Sequence, residues 1–231
     1  MRVKPENFGL FLTIRDNLYI HIFAAYSARR VRPMSERTVE FLFDYGSPFS
    51  YLADTQMGAF ANRTGARIIY RPILLGAVIK ATGNRSPMEI PAKGAYMAIE
   101  LGRWARRYGV GFRDNHFQYR NNTLSLMRGA VAAQAMNVFA AYHAAVYPAV
   151  WAEPVDLGDE AIFRKVLGDA GIDAGVLFAK SQSAEVKDAL RRNTDDAIAR
   201  GVFGAPAFFV GAEMFWGNDR LDFVEQVLER S

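Results

Sequence analysis

From residue 38 onward, the pattern of apolar and polar positions predicts most of the elements. Residues 39–43 are a short, strongly apolar, β-prone run and predict a buried strand. Asp44-Tyr45-Gly46 is a tight connection. Ser47 then stands where a helix N-cap belongs, and Pro48 fills the first helical position, where its missing N–H costs nothing. Phe49, Leu52, Ala53 and Phe60 follow at helical spacing. Residues 66–73 predict a second strand ended by Pro72, so the first three elements form a right-handed parallel crossover unit. Residues 77–200 are Ala-rich and predict helices. One stripe joins Met97, Leu101, Trp104 and Tyr108, and another joins Leu124, Met127, Val131, Val138 and Tyr142. Asp156 or Asp159 caps a helix carrying Ile162, Phe163, Val166 and Leu167. Ser183 caps one that runs through Val186 and Leu190 and stops at Gly201. Residues 206–210 and 213–216 predict a hairpin turning at Gly211-Ala212. Asn218 or Asp219 opens a last helix with Leu221, Val224, Val227 and Leu228 on its face. The order is βαβ, a long helical block, then ββα. One α/β domain from residues 38–76 and 201–231, with 77–200 as a helical insertion, accounts for it.

Residues 1–37 mix charge, aromatics and Gly without a clean period. They are expected to be an extension outside the fold, with Met34 as the natural beginning. His21 interrupts the apolar run from Leu18 to Tyr26, and Arg15 and Asp16 stand just ahead of it, which argues against a secretory signal.

The 231 residues are 51% hydrophobic and 23% charged, values of a globular chain able to bury a sizeable core. A net charge of +4, dispersed among acids, implies no nucleic acid but favours an anionic small ligand. No apolar run approaches membrane-spanning length, so no membrane is expected. With no cysteine, the chain has no disulfide, no thiolate metal site and no dithiol redox chemistry of its own, which fits a cytoplasmic protein. His21, His116 and His143 are scattered without metal-ligand spacing, so no metal is expected, and each reads as a surface or core histidine.

The candidate chemistry sits at Ser47-Pro48-Phe49-Ser50. Ser47 reads either as a plain cap or as a hydroxyl placed where free N–H groups and the helix dipole favour negative charge, such as a thiolate. The βαβ…ββα order resembles the thioredoxin fold, in which this turn carries a Cys-Pro-x-Cys site. Gly204-Ala205-Pro206 stands where that fold has a cis-proline, and the helical insertion resembles the DsbA-like branch. Within that branch the chain resembles the kappa-class glutathione transferases and, above all, the 2-hydroxychromene-2-carboxylate isomerases. The resemblance is carried by residues 43–53, Gly83-Asn84, Arg103-Trp104-Ala105, Val202 to Pro206 and Trp216 to Leu221. It covers residues 38–231.

The resemblance implies that the chain borrows its sulfur from glutathione. Ser47 would donate to that sulfur and hold it as thiolate, as an activator rather than a nucleophile. Ala205, before a cis-Pro206, would pair with the cysteinyl backbone of the tripeptide. Asn218 and Asp219, after Trp216 and Gly217, would receive the γ-glutamyl end, although Asp219 also reads as a helix cap. Trp216 reads as site wall or core. Asn84 and Lys93 match glutathione-contacting positions of the kappa class, or else are a turn Asn and a solvated Lys. Asn122 falls in a stretch that lines the substrate cavity, but the preceding Gln118-Tyr119-Arg120-Asn121 departs from the apolar, proline-containing pattern usual there. Lys80, Lys93 or Arg128 would hold a substrate carboxylate.

The implied reaction interconverts 2-hydroxychromene-2-carboxylate and trans-o-hydroxybenzylidenepyruvate, an aromatic-catabolic step. A homodimer is implied as well. A kappa-like transferase that conjugates electrophiles, and a non-catalytic thioredoxin-fold binding or chaperone module, are the competing readings. The missing cysteines exclude a disulfide oxidoreductase.

Overall fold

The computed structural model describes residues 37–117 and 121–230. The expected extension at residues 1–37 therefore lies, all but Arg37, outside the described residues. So does Gln118-Tyr119-Arg120.

Strand β1 (Thr38–Phe43) leads through the Asp44–Ser47 turn into helix α1 (Pro48–Thr64), and β2 (Arg67–Pro72) returns parallel to β1. Helices α2 (Leu75–Thr82), α3 (Pro91–Tyr108), α4 (Thr123–Ala135), α5 (Phe139–Tyr147), α6 (Glu160–Asp169), α7 (Ala174–Ser181) and α8 (Ala184–Ala199) come next. A π-helical turn, Pro148–Ala152, continues α5. Strands β3 (Ala207–Val210) and β4 (Glu213–Trp216) make the hairpin, and a 3₁₀ turn (Asn218–Arg220) leads into α9 (Leu221–Arg230). The sheet order is β2-β1-β3-β4, with β3 antiparallel to both neighbours.

Strand alternation divides the sheet's two faces. Val39, Phe41 and Phe43 point into the larger core, against side chains of α1, α4, α5 and α9. Phe41 lies opposite Tyr70 and Phe208 in register, stacking on Phe208 at 5.1 Å and meeting Tyr70 edge-on at 5.6 Å. Leu42, Ala207 and Phe209 face the other way, onto Val78 of α2 and Ala197 of α8. The βαβ and ββα pieces thus form one sheet around the inserted helices.

Two expectations need correction. Leu124 to Tyr142 is not one helical stripe: α4 and α5 are separate, and Asn137, at φ 58°, turns the chain between them. Ile162 is 37% exposed instead of joining Phe163 and Leu167 in the core. Helix α7, capped by the Asp173 side chain on Val176 N–H, had no counterpart in the sequence reading. Asp159, rather than Asp156, caps α6, accepting from Ala161 and Ile162 N–H. Among the described residues, no helix is long and apolar enough to cross a membrane.

Candidate functional site

The site begins where β1 hands over to α1. Ser47 has extended N-cap geometry (φ −97°, ψ 112°), and its Oγ accepts from Ser50 N–H at 3.1 Å. The same hydroxyl donates to the Ala205 carbonyl at 2.9 Å, across 158 residues of sequence. The Ala205–Pro206 peptide is cis. One hydroxyl therefore joins the two halves of the sheet, and Ser47 is only 4% exposed. Ser50, the second serine of the motif, is fully buried. The first turn of α1 carries no acidic residue to offset the dipole, and Phe49 N–H has no intrahelical partner.

The turn is fixed from below by Asp44. Its carboxylate accepts from Gly46 N–H and Leu75 N–H, each at 2.8 Å, while its carbonyl accepts from Ser47 N–H. Burial pushes the Asp44 carboxyl pKa up, against the opposing pull of those two backbone donors. An Asp two residues before a Gly at the end of a strand carries the sequence signature of such a turn, but its link to Leu75 has none.

Trp216 and Phe203 form the flank beside Ala205, with ring centroids 4.9 Å apart. Gly204 fits beneath the indole, since a Cβ there would stand 2.6 Å from Trp216 Nε1. Trp216 is 49% exposed, which suits a wall rather than a core residue. Gly217, at φ 109°, donates its N–H to the Pro206 carbonyl. Asn218 is buried, its carbonyl accepting from Tyr108 Oη at 3.0 Å and its amide donating back to that oxygen at 3.4 Å. Asp219 is exposed and paired with Arg220. Asn84 donates to the Phe203 carbonyl at 2.8 Å, two residues from Ala205. Asn122 caps α4, accepting from Ser125 N–H at 3.2 Å. The next residue, Thr123, lies directly over Gly46.

Ser47, Ala205, Pro206, Trp216, Gly217 and Asn84 are therefore joined through a chain of contacts, and Asn122 borders them across Thr123. Lys93 stands exposed in the first turn of α3 and takes no part in the hydrogen bonds of the Ser47–Ala205 pair. Lys80 is exposed on α2 and Arg128 half-buried on α4. Thr123 and Tyr108 border the site as well, although in the sequence Tyr108 reads only as part of a helical stripe.

Residues 38–229 match the family described as DSBA-like thioredoxin domain. A 2-hydroxychromene-2-carboxylate isomerase of Sphingobium xenophagum is 37% identical over 194 residues, covering 83% of this chain and 98% of the relative. The chain belongs to the 2-hydroxychromene-2-carboxylate isomerase family. It is an isomerase built on the DsbA-like thioredoxin scaffold. A solved 2-hydroxychromene-2-carboxylate isomerase superposes on the isomerase with a TM-score of 0.75 at 34% identity, covering 84% of this chain and 95% of that one. A kappa 2 glutathione transferase of Caenorhabditis elegans is 30% identical over 208 residues, covering 84% of the isomerase and 92% of the relative. Each match extends well into the helical insertion, beyond the Ser47 turn.

Proposed function

We propose that this isomerase interconverts 2-hydroxychromene-2-carboxylate and trans-o-hydroxybenzylidenepyruvate, or a closely related aromatic acid, and that it works with glutathione. The observation that carries the reading is the Ser47 hydroxyl. It sits at the N-terminus of a helix with no acidic residue in its first turn, in contact with the peptide before cis-Pro206, in a chain that has no cysteine. The donor set fits a bound tripeptide thiol. Ser47 would hold the sulfur, Ala205 would offer backbone groups to the cysteinyl unit, and Gly217, Asn218 and Asp219 would receive the γ-glutamyl end. Asn84 and Trp216 flank the space, and Lys93 on the first turn of α3 is the remaining glutathione-contacting candidate.

When bound, glutathione supplies the sulfur nucleophile whose reversible addition to the conjugated carbon–carbon double bond permits rotation about that bond. Ser47 supports that chemistry by turning its hydroxyl. Its oxygen would keep the Ser50 N–H while its hydrogen would leave the Ala205 carbonyl for the sulfur. The Ala205 carbonyl is then free to accept a peptide N–H. The Phe49 N–H and the α1 dipole add field that favours the ionised sulfur. Asn122, at the head of α4, borders the aromatic substrate. A basic side chain among Lys80, Lys93 and Arg128 holds its carboxylate.

A second reading rests on the 30% identity to a kappa-class transferase: conjugation of glutathione to an electrophile. One experiment separates them. Purified protein is given the chromene carboxylate with and without glutathione, and both product and free glutathione are followed. Isomerisation that requires glutathione and leaves its concentration unchanged supports the proposal. Conjugate that accumulates while glutathione is consumed replaces it with the transferase. Isomerisation at full rate without glutathione removes the cofactor. The protein is expected to act as a homodimer in the cytoplasm.

A further inference from the structure

We propose that Tyr45, His143 and Asp54 form a positioning relay that holds the Ser47 turn from its helical side. This rests on Ser47 being the activating hydroxyl. His143 lies in the middle of α5 and is 7% exposed. Its Nδ1 is 2.8 Å from Tyr45 Oη, and its Nε2 is 2.9 Å from Asp54 Oδ1 on α1. A carboxylate only accepts, so Nε2 carries the hydrogen. In the neutral ring Nδ1 then accepts, and Tyr45 donates. The chain of bonds thus has one direction, from Tyr45 through His143 to Asp54. Burial, with Tyr142, Tyr147 and Asp54 nearby, keeps the Tyr45 phenol protonated and able to donate.

The imidazole cannot swing away. Phe139, Tyr70, Tyr147 and Phe43 surround it at centroid distances of 4.8 to 5.0 Å. Tyr70 also reaches Asp54, so Tyr45, Tyr70, Tyr147 and Asp54 are the titratable groups that face the histidine. Replacing this chain with hydrocarbon of the same shape would spare its desolvation cost. The polar chain therefore contributes direction more than stability.

What it directs is one step from Ser47. Tyr45 is held at three points: its N–H on Met127 Sδ at 3.3 Å, its carbonyl by Trp151 Nε1 at 2.8 Å, and its hydroxyl by His143. All three anchors come from the helical insertion, at α4, α5 and the π turn. Only Gly46 separates Tyr45 from Ser47. The hydroxyl bond to His143 completes that three-point hold on the turn that presents the Ser47 hydroxyl to Ala205.

The test uses the full chain with Tyr45→Phe, Asp54→Ala and the double variant. It reads the melting temperature, kcat and KM with saturating glutathione, and the pH titration of the bound thiolate. Each single variant is expected to lower kcat about tenfold, keep KM within about twofold and raise the pH at which the thiolate forms. The double variant should be no slower than the slower single one, since both cut the same chain at His143. Wild-type kcat and titration in the single variants, or losses that multiply in the double, overturn the relay, because a purely packing role predicts those results. Tyr45→Phe keeps its ring in the cage, so it decides the matter alone should the others fail to fold. A wild-type protein that binds no thiolate at neutral pH removes the proposed function and the relay together. A wild-type thiolate that Tyr45→Phe leaves unmoved removes the relay only.

Discussion

Ser47→Ala separates the two roles of one hydroxyl. As an N-cap, Ser47 accepts from Ser50 N–H at 3.1 Å, a bond worth about 1 kcal/mol. Its bond to the Ala205 carbonyl, at 2.9 Å and away from water, is worth about another 1 kcal/mol. The folded state should therefore lose about 2 kcal/mol, which for a domain of this size lowers the melting temperature by about 4–8 °C. The chemical role is measured differently. A hydrogen bond to a charged sulfur contributes about 1.5–3 kcal/mol, and each 1.36 kcal/mol moves ionisation by about one pH unit. Without the hydroxyl, the bound thiol should ionise about one to two pH units higher. Turnover at a pH below both values should fall about ten- to a hundredfold, with the two rates converging in alkali. The assay is the ultraviolet absorbance of bound thiolate against pH, set beside the pH dependence of kcat/KM. A lowered melting temperature with an unmoved titration and rate profile would show that Ser47 is a cap and nothing more, and the assigned chemistry would fall.

Two other changes test the surroundings. Gly204→Ala places a Cβ 2.6 Å from Trp216 Nε1 and must push the indole aside. KM for glutathione should rise about tenfold, or ~1.4 kcal/mol, with the melting temperature little changed, and an unchanged KM would remove Trp216 from the site wall. At the far face of the sheet, burial works to raise the Glu40 pKa, but hydrogen bonds from Arg200 at 2.9 Å and Arg71 at 3.0 Å outweigh it and hold the carboxyl below the ordinary glutamate value. Its folded pKa is depressed, so its stabilisation is present above the unfolded value and lost as pH falls through the folded one. Glu40→Gln should therefore lower stability at neutral pH and flatten the acid limb of a denaturation-versus-pH curve. An equally steep limb would show that the ion cluster is inert.

The parts legible in the sequence are those where one local signal decides the backbone. The apolar run 39–43 followed by Asp-Tyr-Gly-Ser-Pro fixes strand, turn and cap, and the structure ends β1 at Phe43 and starts α1 at Pro48. The cis peptide at Pro206 was anticipated from the resemblance, since Gly-Ala-Pro alone carries no such instruction. Periodicity failed at residue 137 because Asn tolerates the left-handed region and turns the chain without a Gly or Pro to announce it. It missed α7 because Ala174–Ser181 is only eight residues long. In the sequence His143 reads as a surface or core histidine, and the fold buries it. Its bonds could not be read, since its partners lie 98 and 89 residues away in sequence. Long-range polar pairs have no local pattern, and only the packed fold brings them together.

Under the proposed function, the junction between the sheet and the helical block accounts for how one turn would serve both a thiol and an aromatic acid. A Cβ on Gly46 would stand 2.9 Å from Thr123 Cγ2, so the absence of a side chain there admits the head of α4. Gly46 is not in the left-handed region, so close approach and not backbone freedom is what the glycine supplies. Two helix N-termini then meet at the same turn, α1 capped by Ser47 and α4 by Asn122, and neither has an acidic residue in its first turn. Their dipoles add a positive field at one place. A thiolate and a substrate carboxylate are both anions that would repel each other in open solution, and under the proposed function this field would offset that repulsion. The helical block therefore adds a second helix N-terminus, that of α4, to the one α1 supplies. On this argument, exchanging the helical block for that of a relative would change the preferred second substrate and leave the glutathione half, anchored at Ser47 and Ala205, in place.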